Sequence, residues 1–450
     1  MRRALGFALA AAGWLTPPPV LPVPSRSGSE GPPRPLTAEP QGGPAPAPTS
    51  PALVRIQDRE MLHGPFPSGG LVRGVSDGLL LESPDPETRQ LALERVRGTG
   101  AAVVRIPVNW RELVAPDPPS GFDPADPSDP SYDFARLDEA VRSAAAAGLT
   151  AMLVVSHAPA FAEAPGRWPY AYAGSWAPSP ESLQAFAEAL ARRYDGDFPD
   201  PHRPGATLPL VRYYQAWNEP NLARYLEPQW VVQDGRWTAF SPLLYRQLLN
   251  AFYAGVKGVA ANDVVITAGV APNGEPAGVG RMAPVTFLAS MLCLTGPAGS
   301  ARAPCPEPAH FDVLAFHPLS VGDPDTAAAS SLDVSIADAA KVTGLLRRAE
   351  LLGTALPRTP KPLWVTELNW ESAPQSSHGV LPGLQAGWIA RALHRLWIAG
   401  VGLVDWQFLV DPYPAVRSAG PSGEALEYQR PAGLYAAGPG GSLQLARPKP

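Results

Sequence analysis

Residues that bind metals or nucleic acids are scarce in this sequence. Its 450 residues include 2 cysteines and 7 histidines, and no two histidines are separated by a single residue, as in an H-x-H motif. Because no cysteine or histidine pair has the spacing of a metal site, we expect no metal and no other cofactor. Charged residues make up 17% of the chain, the formal net charge is -5, and no basic patch stands out. This composition argues against nucleic acid as a partner.

Long apolar stretches are also scarce. At the N-terminus, Arg2 and Arg3 precede an apolar run from Ala4 to Leu15 that is short for a membrane span. This pattern predicts an export signal, and the proline-rich segment behind it is predicted to be disordered. We therefore assign residues 1–51 to a signal peptide and disordered segment, and residues 52–450 to one folded domain with a C-terminal tail. A secreted or cell-surface protein is expected; membrane attachment would arise only if the N-terminal segment stayed uncleaved.

The two cysteines, Cys293 and Cys305, flank a short loop that is rich in glycine and proline. An exported protein meets an oxidising environment, which favours a disulfide between them. Two unpaired thiols are the alternative.

From about residue 70 onward, short apolar runs alternate with longer segments of helical periodicity. Most of the apolar runs are continuously apolar, as strands covered on both faces of a parallel sheet should be. The predicted strands are residues 70–75, 102–108, 150–156, 211–217, 264–268, 311–316, 363–366 and 402–408. The predicted helices between them are residues 86–99, 134–147, 182–194, 243–261, 285–294, 336–352 and 386–398.

This order of elements predicts an α/β fold, namely a (β/α)8 TIM barrel. An open doubly wound sheet is the alternative, but Gly70, Gly74 and Gly78 lack the spacing of a glycine-rich phosphate turn. Residues 412–450 show little helical periodicity. The last barrel helix is therefore expected to be missing, either absent or lost by truncation.

Two glutamates stand at the ends of apolar strands and close to tryptophans. Glu219 follows the fourth predicted strand, next to Trp217, and Glu367 follows the seventh, shortly before Trp370. Barrel enzymes place their active sites at the carboxyl ends of the strands. Two carboxyl groups at such strand ends are typical of the acid pair of a glycosidase.

With Asn218 before Glu219, and Glu367 three strands later, the chain resembles the retaining glycosidases of glycoside hydrolase clan A, especially families 39 and 5. The resemblance covers residues 70–440. It implies a general acid/base role for Glu219, a nucleophile role for Glu367, and a hydrogen bond from Asn218 to the sugar 2-hydroxyl. Arg105, within the second strand, matches an arginine of the clan that would keep Glu367 ionised.

Other strand ends supply further candidate substrate-binding residues. Trp406, on the eighth strand, matches the aromatic residue that floors the first sugar subsite in the clan. His157 and His317 end the third and sixth strands, where the clan often carries site residues; a structural role is the alternative for both. Asn109, at the end of the second strand, and Trp370, after the seventh, complete the set.

Two positions depart from the clan. Relatives often have a tyrosine two residues after the strand-six histidine, where it bonds to the nucleophile, whereas this chain has Leu319. Another residue is then expected to orient Glu367. Asn369 stands where relatives often have glycine, and this change is expected to alter the pocket without abolishing it.

The loops after the third and fourth predicted strands are long and rich in aromatic residues. Such rings can stack on the apolar faces of sugars or can simply fix the loops, and both interpretations stay open. The residues concerned are Phe161, Trp168, Tyr170, Tyr172 and Trp176 in the first loop, and Tyr225, Trp230, Trp237 and Phe240 in the second.

Together these features predict a retaining O-glycoside hydrolase that cleaves β-linked sugars in an oligosaccharide, a polysaccharide or a glycoside. A non-catalytic carbohydrate-binding relative of the same fold and a transglycosidase are the alternatives. A metal-dependent barrel hydrolase would need several histidines or acids at the strand ends to ligate the metal.

Overall fold

A computed structural model describes residues 70–296, 299–320, 322–411, 431–439 and 442–450. The predicted signal peptide and disordered segment, residues 1–51, lies outside the described residues. None of the helices in the described ranges combines the length and apolarity that a membrane span requires.

Eight parallel strands form a closed barrel in the described part of the chain. They are β1 (Val72–Ser76), β2 (Val103–Asn109), β3 (Thr150–Ser156), β4 (Tyr213–Ala216), β5 (Val264–Thr267), β6 (Leu314–Phe316), β7 (Leu363–Leu368) and β8 (Val401–Gln407). The strands pair in chain order, and β8 pairs with β1. Parallel bridges Ile266–Val313 and Val270–Phe316 join β5 to β6 and close the ring. The predicted (β/α)8 TIM barrel is confirmed.

Longer helices follow the first seven strands. They are α1 (Pro86–Gly98), α2 (Ala135–Ala146), α3 (Pro180–Arg193), α4 (Ser241–Val259), α5 (Pro284–Met291), α6 (Ala339–Leu352) and α7 (Pro382–Ile398). Single helical turns occupy Gly78–Leu81, Trp110–Leu113, Ala160–Ala162 and Ile336–Asp338. Helix starts are encoded locally: Asp85 accepts hydrogen bonds from the backbone N–H groups of Glu87 and Thr88, and Pro86 takes the first helical position, where its missing N–H is not needed.

The barrel interior is layered because inward-facing side chains recur at every second residue of a strand. All eight strand segments contribute to an apolar layer near the amino ends, made of Val72, Val103, Met152, Tyr213, Ile266, Val313, Ala315, Trp364 and Leu403. Two residues further along five of the strands stand Gly74, Arg105, Gln215, Thr366 and Asp405. The interior therefore changes from an apolar floor to a polar layer just below the carboxyl ends of the strands.

Beyond β8, no helix follows in the described residues. Instead Tyr435–Ala436 pairs antiparallel with Arg447–Pro448. Arg95 of α1 donates hydrogen bonds to the carbonyls of Gln444 and Ala446, each at 3.2 Å. This irregular segment thus packs beside α1, next to β8. The last barrel helix was expected from the sequence to be missing at this point.

Cys293 and Cys305 form a disulfide with their Cα atoms 5.8 Å apart. Cys293 follows α5, and the two cysteines flank the short antiparallel pair of Leu294–Thr295 and Ala301–Arg302. A second hairpin, Trp230–Gln233 with Arg236–Ala239, stands on the loop after β4.

Candidate active site

A buried hydrogen-bond network crosses the polar layer of the barrel. Arg105 on β2 donates from Nε to Oε1 of Gln215 on β4 at 2.8 Å. Gln215 donates from Nε2 to the Thr267 carbonyl and to the Thr366 hydroxyl, both at 3.0 Å. A buried guanidinium is costly unless its N–H groups are bonded. The network therefore explains how an arginine is accommodated within an apolar strand.

Glu367 lies near the end of β7, at the upper edge of this network. Arg105 donates from Nη1 to Oε1 of Glu367 at 2.8 Å, and both side chains are buried. Nδ1 of His317 is 3.6 Å from the other carboxylate oxygen of Glu367. Because this chain has Leu319 and not a tyrosine, another residue was expected to orient Glu367. Arg105 and His317 are the residues that contact its carboxylate.

Glu219 sits on a strained turn immediately after β4. Trp217 and Glu219 have φ angles of 75° and 34°, which side-chain-bearing residues rarely adopt. The turn is held by a hydrogen bond from the Glu219 backbone N–H to the Gly269 carbonyl at 3.1 Å and by one from Nε1 of Trp217 to the Tyr225 carbonyl at 2.8 Å. Strain retained by surrounding bonds is typical of functional sites.

His317, the residue after β6, connects Glu219 to the buried network. Its Nδ1 is 3.0 Å from Oε1 of Glu219, and its Nε2 is 3.0 Å from the Thr366 hydroxyl. The Thr366 hydroxyl oxygen accepts a hydrogen bond from Gln215, so the Thr366 hydroxyl can donate its own hydrogen to Nε2 of His317. In that tautomer Nδ1 of His317 carries the ring hydrogen and donates it to Glu219. One carboxylate oxygen of Glu219, one carboxylate oxygen of Glu367 and one ring nitrogen of His317 lie within 4.8 Å of one another.

Asn218 belongs to the same cluster. Its Oδ1 accepts a hydrogen bond from Nη2 of Arg105 at 2.7 Å. This bond fixes the orientation of the amide group, so that Nδ2 is the atom of Asn218 left to serve as a donor to a ligand.

Two indoles lie at the ends of β7 and β8. The rings of Trp370 and Trp406 are 6.2 Å apart between centroids. Each indole N–H is bonded, that of Trp370 to the Gly322 carbonyl at 3.1 Å and that of Trp406 to the Ala432 carbonyl at 3.0 Å. These bonds hold both rings at the carboxyl ends of the two strands.

His157 and Asn109 do not join the cluster around Glu219 and Glu367. His157 bonds through Nδ1 to the Ser156 hydroxyl at 2.9 Å, and its ring lies 5.3 Å from that of Tyr225. Burial, together with the charges of Arg224 and Arg111, lowers the pKa of His157 to about 4, so its imidazole is neutral. Asn109 donates to Glu112 at 2.8 Å, within its own helical turn.

Asp405 is a site residue that sequence reasoning missed. Burial on β8 raises the pKa of Asp405 to about 8, with the charge of Arg105 lowering it and that of Glu367 raising it. Neither carboxyl oxygen of Asp405 has a hydrogen-bond partner among the described residues. Gly74 on β1 faces Asp405, and a side chain there would overlap the carboxyl group.

Three further residues of the site were also missed: Gln215, Thr366 and Gly269. The available signal was the presence of polar residues inside otherwise apolar strands. Gly269 has a steric reason, since a Cβ at this position would overlap the His317 ring.

The cluster of one histidine and two carboxylates has a composition that could also ligate a metal ion. Here the Arg105 guanidinium already occupies Oε1 of Glu367. Its permanent positive charge repels a second cation at this distance. The donor set therefore fits an arginine-paired carboxylate beside a second carboxyl group better than it fits a metal centre.

Part of the chain is similar to a known protein family. Residues 73–199 match the family model of cellulases, glycosyl hydrolase family 5. No curated protein matches the sequence. The matched range ends before Glu219, so it includes Arg105 but neither glutamate.

Solved structures of glycosidases share the fold. A family 39 glycoside hydrolase from Bacteroides cellulosilyticus WH2 is 18% identical with a TM-score of 0.50, and the match covers 84% of this chain and 61% of that one. A glucosidase from Croceicoccus marinus is 16% identical with a TM-score of 0.50, covering 81% of this chain and 63% of that one. This chain thus spans about three fifths of the length of either protein. The predicted resemblance to clan A glycoside hydrolases of families 39 and 5 is confirmed.

Proposed function

We propose that the protein is a retaining O-glycoside hydrolase that cleaves β-linked sugars. The observation that carries the proposal is the proximity of Glu219 and Glu367, which place one carboxylate oxygen of each residue within 4.8 Å of the other. Retaining enzymes hold their two carboxyl groups about 5–5.5 Å apart, whereas inverting enzymes need about 6.5–9.5 Å to admit a water molecule.

In the first step Glu367 is the nucleophile. Its carboxylate attacks the anomeric carbon, the bond to the glycosidic oxygen breaks, and Glu219 gives that oxygen a proton. The product is a glycosyl ester on Glu367 and a free leaving group. Arg105, bonded to Glu367 at 2.8 Å, holds the attacking carboxylate in place through a charge-assisted hydrogen bond.

In the second step Glu219 becomes the base. It takes a proton from a water molecule, whose oxygen attacks the anomeric carbon and releases Glu367. His317, 3.0 Å from Glu219, holds that carboxyl group in place through both steps. Asn218, oriented by Arg105, donates from Nδ2 to the sugar 2-hydroxyl, and Trp370 and Trp406 form the apolar floor below the sugar.

We also propose that the protein acts outside the cytosol, as a secreted or surface-attached enzyme. The disulfide between Cys293 and Cys305 supports this proposal, since such bonds persist in oxidising compartments. Fractionation of cells that express the full chain tests it; recovery only from the reducing cytosol, with both thiols free, would contradict it.

The function is tested with a panel of aryl β-glycosides that covers xyloside, glucoside, galactoside, mannoside and glucuronide. We expect wild-type protein to hydrolyse at least one, and Glu367→Ala to be inactive on it. Added azide should restore turnover in this variant and give a glycosyl azide of inverted configuration. A purified wild type that hydrolyses neither the panel nor β-linked polysaccharides would favour a carbohydrate-binding relative, and transfer of the sugar to an acceptor alcohol instead of water would identify a transglycosidase.

A further inference from the structure

An aromatic surface stands exposed on the loop between β3 and α3. Trp168, Tyr170 and Tyr172, here called the aromatic platform, expose 39%, 75% and 47% of their surfaces. The ring centroids of Trp168 and Tyr170 are 5.5 Å apart. Neighbouring exposed aromatic rings are typical of a surface that binds a ligand or a partner protein.

The platform is held rigidly by the loop beneath it. The buried indole of Trp176 lies 4.7 Å from that of Trp168 between centroids. The Glu163 carboxylate accepts from the backbone N–H groups of Gly174 at 2.9 Å and Trp176 at 2.8 Å. Gly174 has a φ of 83° and packs against backbone where a side chain would not fit. A surface ordered in advance loses little entropy when it binds a ligand.

The base of the platform is joined to the loop that carries Glu219. The Glu227 backbone N–H donates to the Ser175 carbonyl at 2.8 Å, and the Ala177 N–H donates to the Glu227 carbonyl at 2.7 Å. Glu227 lies eight residues after Glu219 in the same loop. The platform therefore stands on a loop that follows β3 and is hydrogen-bonded to the loop after β4, which carries Glu219.

The loop offers little charge to a ligand. Between residues 159 and 180 the ionisable residues with a formal charge are Glu163 and Arg167. They face each other, with Nη1 of Arg167 3.9 Å from Oε2 of Glu163. Apolar ring faces without net charge suit the C–H faces of neutral sugars.

We propose that the aromatic platform binds distal sugar units of a neutral oligosaccharide whose scissile bond lies between Glu219 and Glu367. The inference rests on the proposed function and makes its substrate a chain of several sugars. The test compares Trp168→Ala, Tyr170→Ala and the double variant with Trp397→Ala, a matched control on α7 whose ring neighbours His394. The kcat/KM values are measured on the best aryl monoglycoside and on neutral oligosaccharides of increasing length.

We expect the double variant to lose about tenfold in kcat/KM on the longest oligosaccharide, mainly through KM, and nothing on the monoglycoside. Trp397→Ala should match wild type on both. Equal losses on short and long substrates, or no loss on either, would overturn the proposal. A wild type that dimerises through these residues in size-exclusion chromatography would overturn it too.

A second readout separates this proposal from the proposed function. Wild type and the same variants are run through native gels that contain soluble neutral β-glucan, xylan, mannan or galactan. If the wild type hydrolyses no substrate but is retarded in the gel, and the double variant is not retarded, the platform proposal stands and the hydrolase proposal is rejected. Absence of retardation on every polysaccharide, with a monoglycoside still hydrolysed, would reject the platform alone.

Discussion

Arg105 and Glu367 form a buried ion pair across the barrel, with Nη1 and Oε1 2.8 Å apart. The same guanidinium bonds Gln215 and Asn218, so one side chain links β2, β4 and β7. Arg105→Ala would leave a buried carboxylate without its cation. We expect a loss of about 3–5 kcal/mol in the free energy of unfolding and about 10²- to 10³-fold in kcat.

Arg105→Lys tests whether charge alone suffices. Lysine keeps the charge but cannot reproduce three fixed N–H contacts. Its kcat should fall between those of wild type and Arg105→Ala, while urea unfolding reports stability separately. A lysine variant with wild-type kcat would show that the bonds to Gln215 and Asn218 do not matter for the reaction.

Glu219→Gln should divide substrates by their leaving groups. A dinitrophenyl leaving group departs without a proton, so glycosylation of Glu367 should be nearly unaffected. Alkyl glycosides and oligosaccharides should lose about 10²- to 10⁴-fold in kcat/KM. Glu275→Gln, on the loop after β5, is the matched control and should behave as wild type. The same loss on every substrate would count against an acid role for Glu219.

Gly269→Ala should impair activity by moving His317. The added methyl group would overlap the imidazole, which bonds Glu219 and Thr366. We expect kcat to fall by about tenfold or more, with a smaller change in KM, because the carboxyl group of Glu219 loses its orientation. Gly387→Ala, in α7 with open space around it, should retain kcat and gain about 1 kcal/mol in stability. A fully active Gly269→Ala would show that the His317 position is not required.

Asp405 should make stability depend on pH. Burial raises the pKa of Asp405 from 3.8 to about 8, so the folded state binds this proton more tightly than the unfolded state. The stabilisation that this bound proton gives the folded state is therefore fully present below the unfolded pKa. It is lost as the pH rises toward 8, by at most about 1.4 kcal/mol in the free energy of unfolding per pH unit.

Asp405→Asn removes this titration and keeps the shape. Urea unfolding at several pH values between 5 and 8 should show the variant gaining stability relative to wild type as the pH rises. Two curves that stay parallel over this range would mean that Asp405 does not carry the buried proton.

Most elements of the fold were predictable because strands covered on both faces are continuously apolar. The prediction for β3, residues 150–156, coincides with the observed strand. The sixth strand was predicted from residue 311 but begins at Leu314, since the Asp312 carboxylate accepts the Val265 N–H and replaces part of the ladder. Helix α5 ends at Met291, before the predicted residue 294, because Cys293 has a φ of 55° at the disulfide.

The site was predictable only in part. Five of the predicted site residues lie in one cluster, because the carboxyl ends of parallel barrel strands meet at the same end of the barrel. They are Arg105, Asn218, Glu219, His317 and Glu367. Gln215, Thr366 and Asp405 were not recognised, because a polar residue inside a strand does not reveal its partner on another strand. That information arises only when the barrel closes and sets the register between strands that are far apart in sequence.

The most direct test of the central proposal is the anomeric configuration of the first product, followed by proton NMR during hydrolysis of whichever β-glycoside the wild type cleaves. A covalent intermediate on Glu367 predicts that the β-anomer appears first and then mutarotates. Initial release of the α-anomer would mean a single displacement by water, and Glu367 could not then be the nucleophile.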